Sequence, residues 1–222
     1  MTTIFRLDAS IRKDGSVTRA VADTLETTLF AELADAGVVR REVGLTPLPS
    51  WAWAASTFAG YTPEDQRSSE QKQARALASE LADELLAADA FIFAIPLYNF
   101  GVSQHAKIWV DLLLTDPRFA PGAPKLLAGR PAYLVVAKGG GYGPGTPRHG
   151  WDHATGWMLR ILADVLALNV QLIETELTLA DVSPAMAALR DLAAQNLKYA
   201  HANAADHGRQ LAAQLGKATA AA

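Results

Sequence analysis

The residues best placed to do chemistry in this chain are hydroxyls and glycines rather than acids, bases or thiols. Ser10, Ser16 and Thr18 flank a short segment that leads from an apolar, strand-like run into a helical one. Hydroxyls beside the open N–H groups of a helix start, with the positive end of its dipole, make a phosphate site that needs no full basic charge. The same segment also reads as a plain N-cap at Ser16 with Thr18 on the surface, so alone it leaves both roles open. A second segment, Pro96-Leu97-Tyr98-Asn99-Phe100-Gly101, follows the apolar run 90–95 and precedes an amphipathic stretch from Ser103. A third, Ala137-Lys138-Gly139-Gly140, opens a glycine- and proline-rich stretch that reaches Gly150. Its glycines permit close approach of backbone to a ligand, and they suit a flexible turn cluster as well. What singles the segments out is that each directly follows a strand-like run.

Other chemistries find no support. With no Cys in the chain, disulfides, thiolate zinc sites and a CxxC redox pair are excluded, and any redox chemistry must come from a bound cofactor. No GxGxxG follows the first strand-like run and no GxxxxGK[ST] occurs, which speaks for a mononucleotide over a dinucleotide or a nucleoside triphosphate. No serine sits in a GxSxG elbow. His149, Asp152 and His153 read as a helix cap with solvated histidines, and no metal is expected.

The elements that must hold these segments follow from hydropathy patterning. Runs at 3–7, 38–43, 90–95, 132–137 and 170–176 read as strands alternating with helices, the pattern of βαβ units around a parallel sheet. A helix from Ser16 carries Val17, Val21, Leu25, Leu29 and Leu33 on one stripe, with Gly37 as its stop. Further helices are expected from about Pro63 to 88, over 103–114, over 151–168 and from Pro184 onward, with a frayed tail from Gly216. This alternation predicts a flavodoxin-like three-layer α/β/α fold with a five-stranded parallel sheet ordered 2-1-3-4-5 and a ligand crevice at the carboxyl ends of strands one, three and four. The stretch 44–62 is read as a long loop whose Trp51, Trp53, Phe58 and Tyr61 either pack on their own helices, cover the site or wall a dimer interface.

Length and composition bound the rest. The 222 residues are half hydrophobic and carry 20 Lys plus Arg against 23 Asp plus Glu, which predicts one domain over 1–222. A net charge of −3 without a basic block makes nucleic acid and anionic membrane poor partners and a small molecule a better one. With no long apolar stretch, a cytoplasmic location is expected.

Taken together, Ser10, Ser16-Val17-Thr18, Leu97-Tyr98-Asn99-Phe100 and Ala137-Lys138-Gly139-Gly140 resemble, in order and strand-end position, the FMN-contact segments of the FMN-dependent NADH azoreductases and related NAD(P)H quinone reductases. The resemblance spans nearly the whole chain. It departs at Ala137, where the family often has Ser, at Lys138 for a common Arg, at Val17 for a polar residue, and at Ala167 to Asn169, where a glycine usually ends the helix. It implies FMN as cofactor, with its phosphate at Ser10, Ser16, Val17 and Thr18 and its ring along Pro96 to Phe100 and Ala137 to Gly140. NADH or NADPH would be the donor, and a quinone or aromatic azo compound would be reduced by two-electron hydride transfer in a ping-pong cycle. No acid–base residue is obligatory, since the cofactor carries the chemistry. Tyr142 and His149 are candidate proton donors, and Trp51, Trp53, Phe58, Tyr61, Phe100 and Tyr142 are candidate walls of the substrate pocket. The family is also expected to form a homodimer with its sites at the interface. Two other readings fit the fold: a flavodoxin-type one-electron carrier, which the nearly balanced charge disfavours, and a flavin-free binding protein.

Overall fold

A computed structural model describes residues 2–220, with side chains described through Lys217. Strands β1 (Thr2–Asp8), β2 (Ala36–Glu42), β3 (Ala90–Ala94), β4 (Pro131–Ala137) and β5 (Asn169–Thr175) pair in parallel in the order β2-β1-β3-β4-β5, as patterning predicts. Alternate residues on each strand face opposite layers. Phe5, Leu7, Phe91, Phe93 and Leu134 enter one core with the helices α3 (Ser69–Leu86) and α4 (Gln104–Leu113). Ile4, Ile92, Ala94, Tyr133 and Val135 enter the other with α1 (Val17–Glu32) and α6 (Arg190–Ala220). Both faces are covered, which is why the central strands read as unbroken apolar runs. Trp109 of α4 anchors the first core, stacked 6.1 Å from Phe5 and tilted against Phe93. Among the described residues, no helix is long and apolar enough to cross a membrane.

Several boundaries differ from expectation. Helix α1 ends at Glu32 with Leu33 as its C-cap, and Gly37 lies inside β2 opposite Thr3. The stretch 44–62 is not simply a loop, because it contains α2 (Ala52–Ala59). Its buried face is made of Ala52, Ser56 and Ala59, so large-residue periodicity does not register it, and its aromatic side chains point outward. Helix α3 starts six residues after Pro63, where Ser68 accepts the N–H of Gln71 and the Gln71 side chain accepts the N–H of Ser68, a reciprocal cap. In place of one helix over 151–168 there is a short α5 (Thr155–Leu159) that widens into a π-helical turn at Arg160–Val165. Ala167 then takes a left-handed φ of 59°, a conformation that favours glycine. Helix α6 runs through Gly216 to Ala220, where fraying was expected; Ala221 and Ala222 lie outside the described residues.

Beyond β3 the chain forms a hairpin that patterning does not reveal. Leu97–Tyr98 pairs antiparallel with Gly101–Val102, and Asn99 and Phe100 occupy the turn with φ of 48° and 67°. Two successive left-handed residues match the right-handed strand twist. Asn tolerates this backbone and Phe does not, so Phe100 must be held from outside. Its ring meets Trp151 at 5.4 Å and Tyr142 at 6.4 Å, Arg148 lies 5.9 Å from it, and its carbonyl accepts the His153 N–H at 2.9 Å.

Candidate functional site

The carboxyl edges of β1, β3 and β4 converge on a crevice of about 290 Å³. It is lined by Ser10, Ser16, Val17 and Thr18 after β1, by Pro96, Leu97 and Tyr98 after β3, and by Ala137 and Gly139 after β4. At one end the Ser16 hydroxyl caps α1 by accepting the Arg19 N–H at 3.4 Å and lies 3.3 Å from the Thr18 hydroxyl. The first-turn N–H groups of Val17 and Thr18 beside it have no earlier carbonyl in the helix to bond, and both residues line the crevice. Ser10 accepts the Arg12 N–H at 3.3 Å, and its hydroxyl meets that of Tyr98 at 3.3 Å. Tyr98 also accepts the Ile11 N–H, and so ties the loop after β3 to the loop after β1. The opposite walls are apolar: Pro96, Leu97, Ala137 and Leu179. A polar end rich in donors and flat apolar walls suit a ligand with a phosphate at one end and a ring system at the other.

Other sequence candidates lie elsewhere. Asn99 and Phe100 are exposed at the hairpin tip and do not line the crevice. Gly140 is buried under Arg148, whose Nη1 lies 2.6 Å from where a Cβ would be. Lys138 does not line the crevice, and its ammonium pairs with Asp152 at 2.9 Å, Glu174 at 2.8 Å and, more distantly, Glu176. Burial opposes that charge, yet the bonds to Glu174 and Asp152 hold the ammonium above its ordinary pKa. Tyr142 is half-buried beside Phe100 with its N–H held by Glu176, whereas His149 is exposed on an outer turn. Trp53 and Tyr61 line a separate cleft of about 780 Å³ with Thr115, Phe119 and Lys125, and Trp51 and Phe58 are exposed nearby. None of these four walls the crevice of its own protomer.

Ile11, Arg12, Thr178 and Leu179 line the crevice without having been singled out. Ile11 carried a readable signal, an apolar side chain in the loop that follows the first strand, and the structure leaves it 57 % exposed. Thr178 and Leu179 carried none, since their approach depends on the turn after β5. There Leu177 adopts φ 65°, and the Leu179 N–H reaches the Gly139 carbonyl at 3.2 Å. Gly139 leaves room for the Leu179 side chain, since a Cβ there would lie 2.7 Å from Leu179 Cδ1 and that side chain would have to shift.

Asp152 also latches the glycine-rich stretch. Burial works against its charge, but the Thr155 hydroxyl and N–H, Lys138 and the Ala154 N–H hold its pKa at about 2. The latch is therefore complete above the ordinary aspartate value of about 3.9 and is lost as pH falls through about 2. Thermal unfolding midpoints of the wild type are expected to fall over that acid window, and those of Asp152→Asn, already lower at neutral pH, to fall less steeply. Parallel profiles would show that the pair contributes nothing to stability.

The fold is that of an α/β protein of the flavodoxin-like class, with a crevice that has a hydroxyl-rich end and apolar walls at the carboxyl edge of its sheet. Residues 2–200 match the family described as Flavodoxin-like fold. The chain belongs to that family, within a group whose members include a Frankia casuarinae protein named FMN-dependent NADH:quinone oxidoreductase, 36 % identical over 86 % of this chain and 92 % of that protein. A Streptomyces coelicolor protein of the same name is 32 % identical over 97 % of each chain. Among solved structures, an FMN-dependent NADH-azoreductase from Bacillus anthracis, determined with FMN, superposes with a TM-score of 0.74 over 96 % of this chain and all of that one. At 17 % identity this likeness shows the fold alone.

Proposed function

We propose that this protein is an FMN-dependent NADH:quinone oxidoreductase that reduces quinones and aromatic azo compounds by ping-pong two-electron transfer. The observation that carries the reading is the convergence of Ser10, Ser16, Thr18, Tyr98, Ala137 and Gly139 on one crevice with a donor-rich end and apolar walls. The relatives' shared name supports the cofactor and the donor.

The residues present fit FMN. Ser10, Ser16, Val17 and Thr18 supply hydroxyls and helix-start amides for the phosphate, and Pro96, Leu97 and Tyr98 with Ala137 and Gly139 supply the walls for the ring. When bound, the flavin supplies the acceptance of a hydride from NADH and its delivery to the acceptor. The chain's own part is to orient and enclose. Tyr98 fixes two loops against each other, Leu179 excludes water from the Gly139 side, and Ala137 offers no hydroxyl. Asn99 and Phe100 contribute through the hairpin that carries them. Of the two candidate proton donors, Tyr142 is the better placed, since Glu176 and Phe100 hold it beside the hairpin. His149 has no such support.

The protein acts as a homodimer in this reading. Trp51, Trp53, Phe58 and Tyr61 are 39, 49, 63 and 85 % exposed in the protomer, apolar surface suited to a partner subunit. Across such an interface they wall the substrate space of the other copy.

The purified protein is expected to be yellow and to bleach on anaerobic addition of NADH. Double-reciprocal plots at several quinone concentrations are expected to be parallel, because one open flavin face serves donor and acceptor in turn. A colourless protein that takes up no FMN would overturn the cofactor assignment, and intersecting lines would overturn the ping-pong order alone.

A further inference from the structure

We infer that Arg19 is a positioning residue for the phosphate loop, acting through Ser10 and Glu42; the inference rests on the FMN reading above and adds a residue that does not line the crevice. Arg19 follows Thr18 on the first turn of α1, but its guanidinium folds back beneath the loop. Its Nη2 donates to the Ser10 carbonyl at 2.8 Å and to Glu42 Oε1 at 2.8 Å, while Nη1 pairs with Glu42 Oε2 and lies 3.7 Å from Asp8. Glu42 Oε1 in turn accepts the N–H groups of Gly44 at 2.9 Å and Leu45 at 3.0 Å.

One guanidinium thus joins the first turn of α1, the loop after β1 and the loop after β2. The two loops are in hard contact at that point. A Cβ on Gly44 would lie 2.1 Å from the Ser10 carbonyl oxygen, which is backbone and cannot swing aside, so position 44 admits only glycine. The clamp is anchored below by Asp8, which is fully buried and already receives Arg6 at 3.0 Å and Arg40 at 3.1 Å. Burial works against the Glu42 charge, but Arg19 and the Leu45 and Gly44 amides keep its carboxyl below the ordinary range, so the pair stays ionised at neutral pH.

The consequence for the site is geometric. The Ser10 hydroxyl accepts the Arg12 N–H and meets the Tyr98 hydroxyl, and the bond from Arg19 to the carbonyl of the same residue restrains the backbone from which that hydroxyl projects. A site whose donors are set before the ligand arrives does not spend binding energy ordering them. The forked guanidinium reaches two acceptors from one nitrogen plane, which a lysine ammonium does not reproduce.

The test compares Arg19→Met, Arg19→Lys and Glu42→Gln with the wild type, using FMN and riboflavin titrations of the apoprotein and amide hydrogen exchange. Arg19→Met is expected to raise the FMN dissociation constant by about tenfold or more, with Arg19→Lys intermediate, and riboflavin affinity is expected to stay within about twofold because it has no phosphate to place. Exchange is expected to quicken in residues 9–15 and 43–48 of the apoprotein and to be unchanged in α6. Glu42→Gln keeps the cation and carries the test if Arg19→Met does not fold. FMN affinity within about twofold of wild type in the folded variants, equal losses for FMN and riboflavin, or unchanged exchange in both loops each overturns the clamp. Wild-type protein that fails to bind FMN overturns the cofactor reading and this inference with it, so the two failures are told apart by the wild-type titration.

Discussion

Protein carrying Ser16→Asp and Thr18→Asp together is expected to be purified colourless and to bind added FMN at least about a thousandfold more weakly than the wild type. The two hydroxyls stand 3.3 Å apart at the start of α1, in the polar end of the crevice. A carboxylate there meets a phosphate that is itself anionic. At roughly 4 Å and an effective dielectric constant of about 20, one such pair repels by about 4 kcal/mol, which alone corresponds to about three orders of magnitude in affinity. The single variant Ser16→Asp separates electrostatics from folding, because aspartate caps a helix as well as serine does and its charge favours the helix dipole. It is expected to keep the far-UV circular dichroism of the wild type while losing most of the FMN affinity. Full FMN affinity in the double variant would remove the phosphate from this helix start and, with it, the assignment of the crevice.

If the protein assembles as the proposed homodimer, replacing Trp51 and Trp53 by serine is expected to give the second-largest effect, weakening that dimer by at least about a hundredfold in dissociation constant with FMN affinity unchanged. The two indoles are 39 and 49 % exposed in the protomer, so a sizeable part of each is left for an interface to cover. Full burial of a large apolar side chain contributes roughly 1.5 to 3 kcal/mol, and a two-fold interface counts every residue twice. Covering the exposed share of both rings on both copies therefore amounts to several kcal/mol. Helix α2 tolerates the change, since its buried side is Ala52, Ser56 and Ala59, and Ser56 keeps its hydroxyl contact with Thr115 at 2.6 Å. Sedimentation equilibrium measures the assembly, and the Michaelis constants for quinones of several sizes report whether the same residues wall the substrate space. A variant that stays dimeric with unchanged constants would leave these side chains as ordinary surface of their own helix.

By itself the sequence determined the layered α/β architecture, the order of the sheet, and three of the loops that meet at its carboxyl edge. The reason is that these features are local. A strand buried on both faces is an unbroken apolar run, α1 is an i,i+4 stripe with a serine in front of it, and a parallel sheet built from such units puts its ligand loops at one edge. Ser10, Ser16, Val17, Thr18, Pro96, Leu97, Tyr98, Ala137 and Gly139 were legible for that reason, and the structure brings them together. Only the tertiary structure decided what depends on partners distant in the chain. That the Lys138 ammonium pairs with Asp152 and Glu174 depends on the fold, and Thr178 and Leu179 reach the crevice through a left-handed turn at Leu177 that no pattern announces. Helix α2 escaped detection because small residues make its buried face, and its two aromatic residues, Trp53 and Phe58, face away from the core. Arg19 was hidden for the same physical reason: a guanidinium on a helix reads as solvent-exposed charge until the fold places the Ser10 carbonyl and the Glu42 carboxylate within hydrogen-bond reach of one nitrogen.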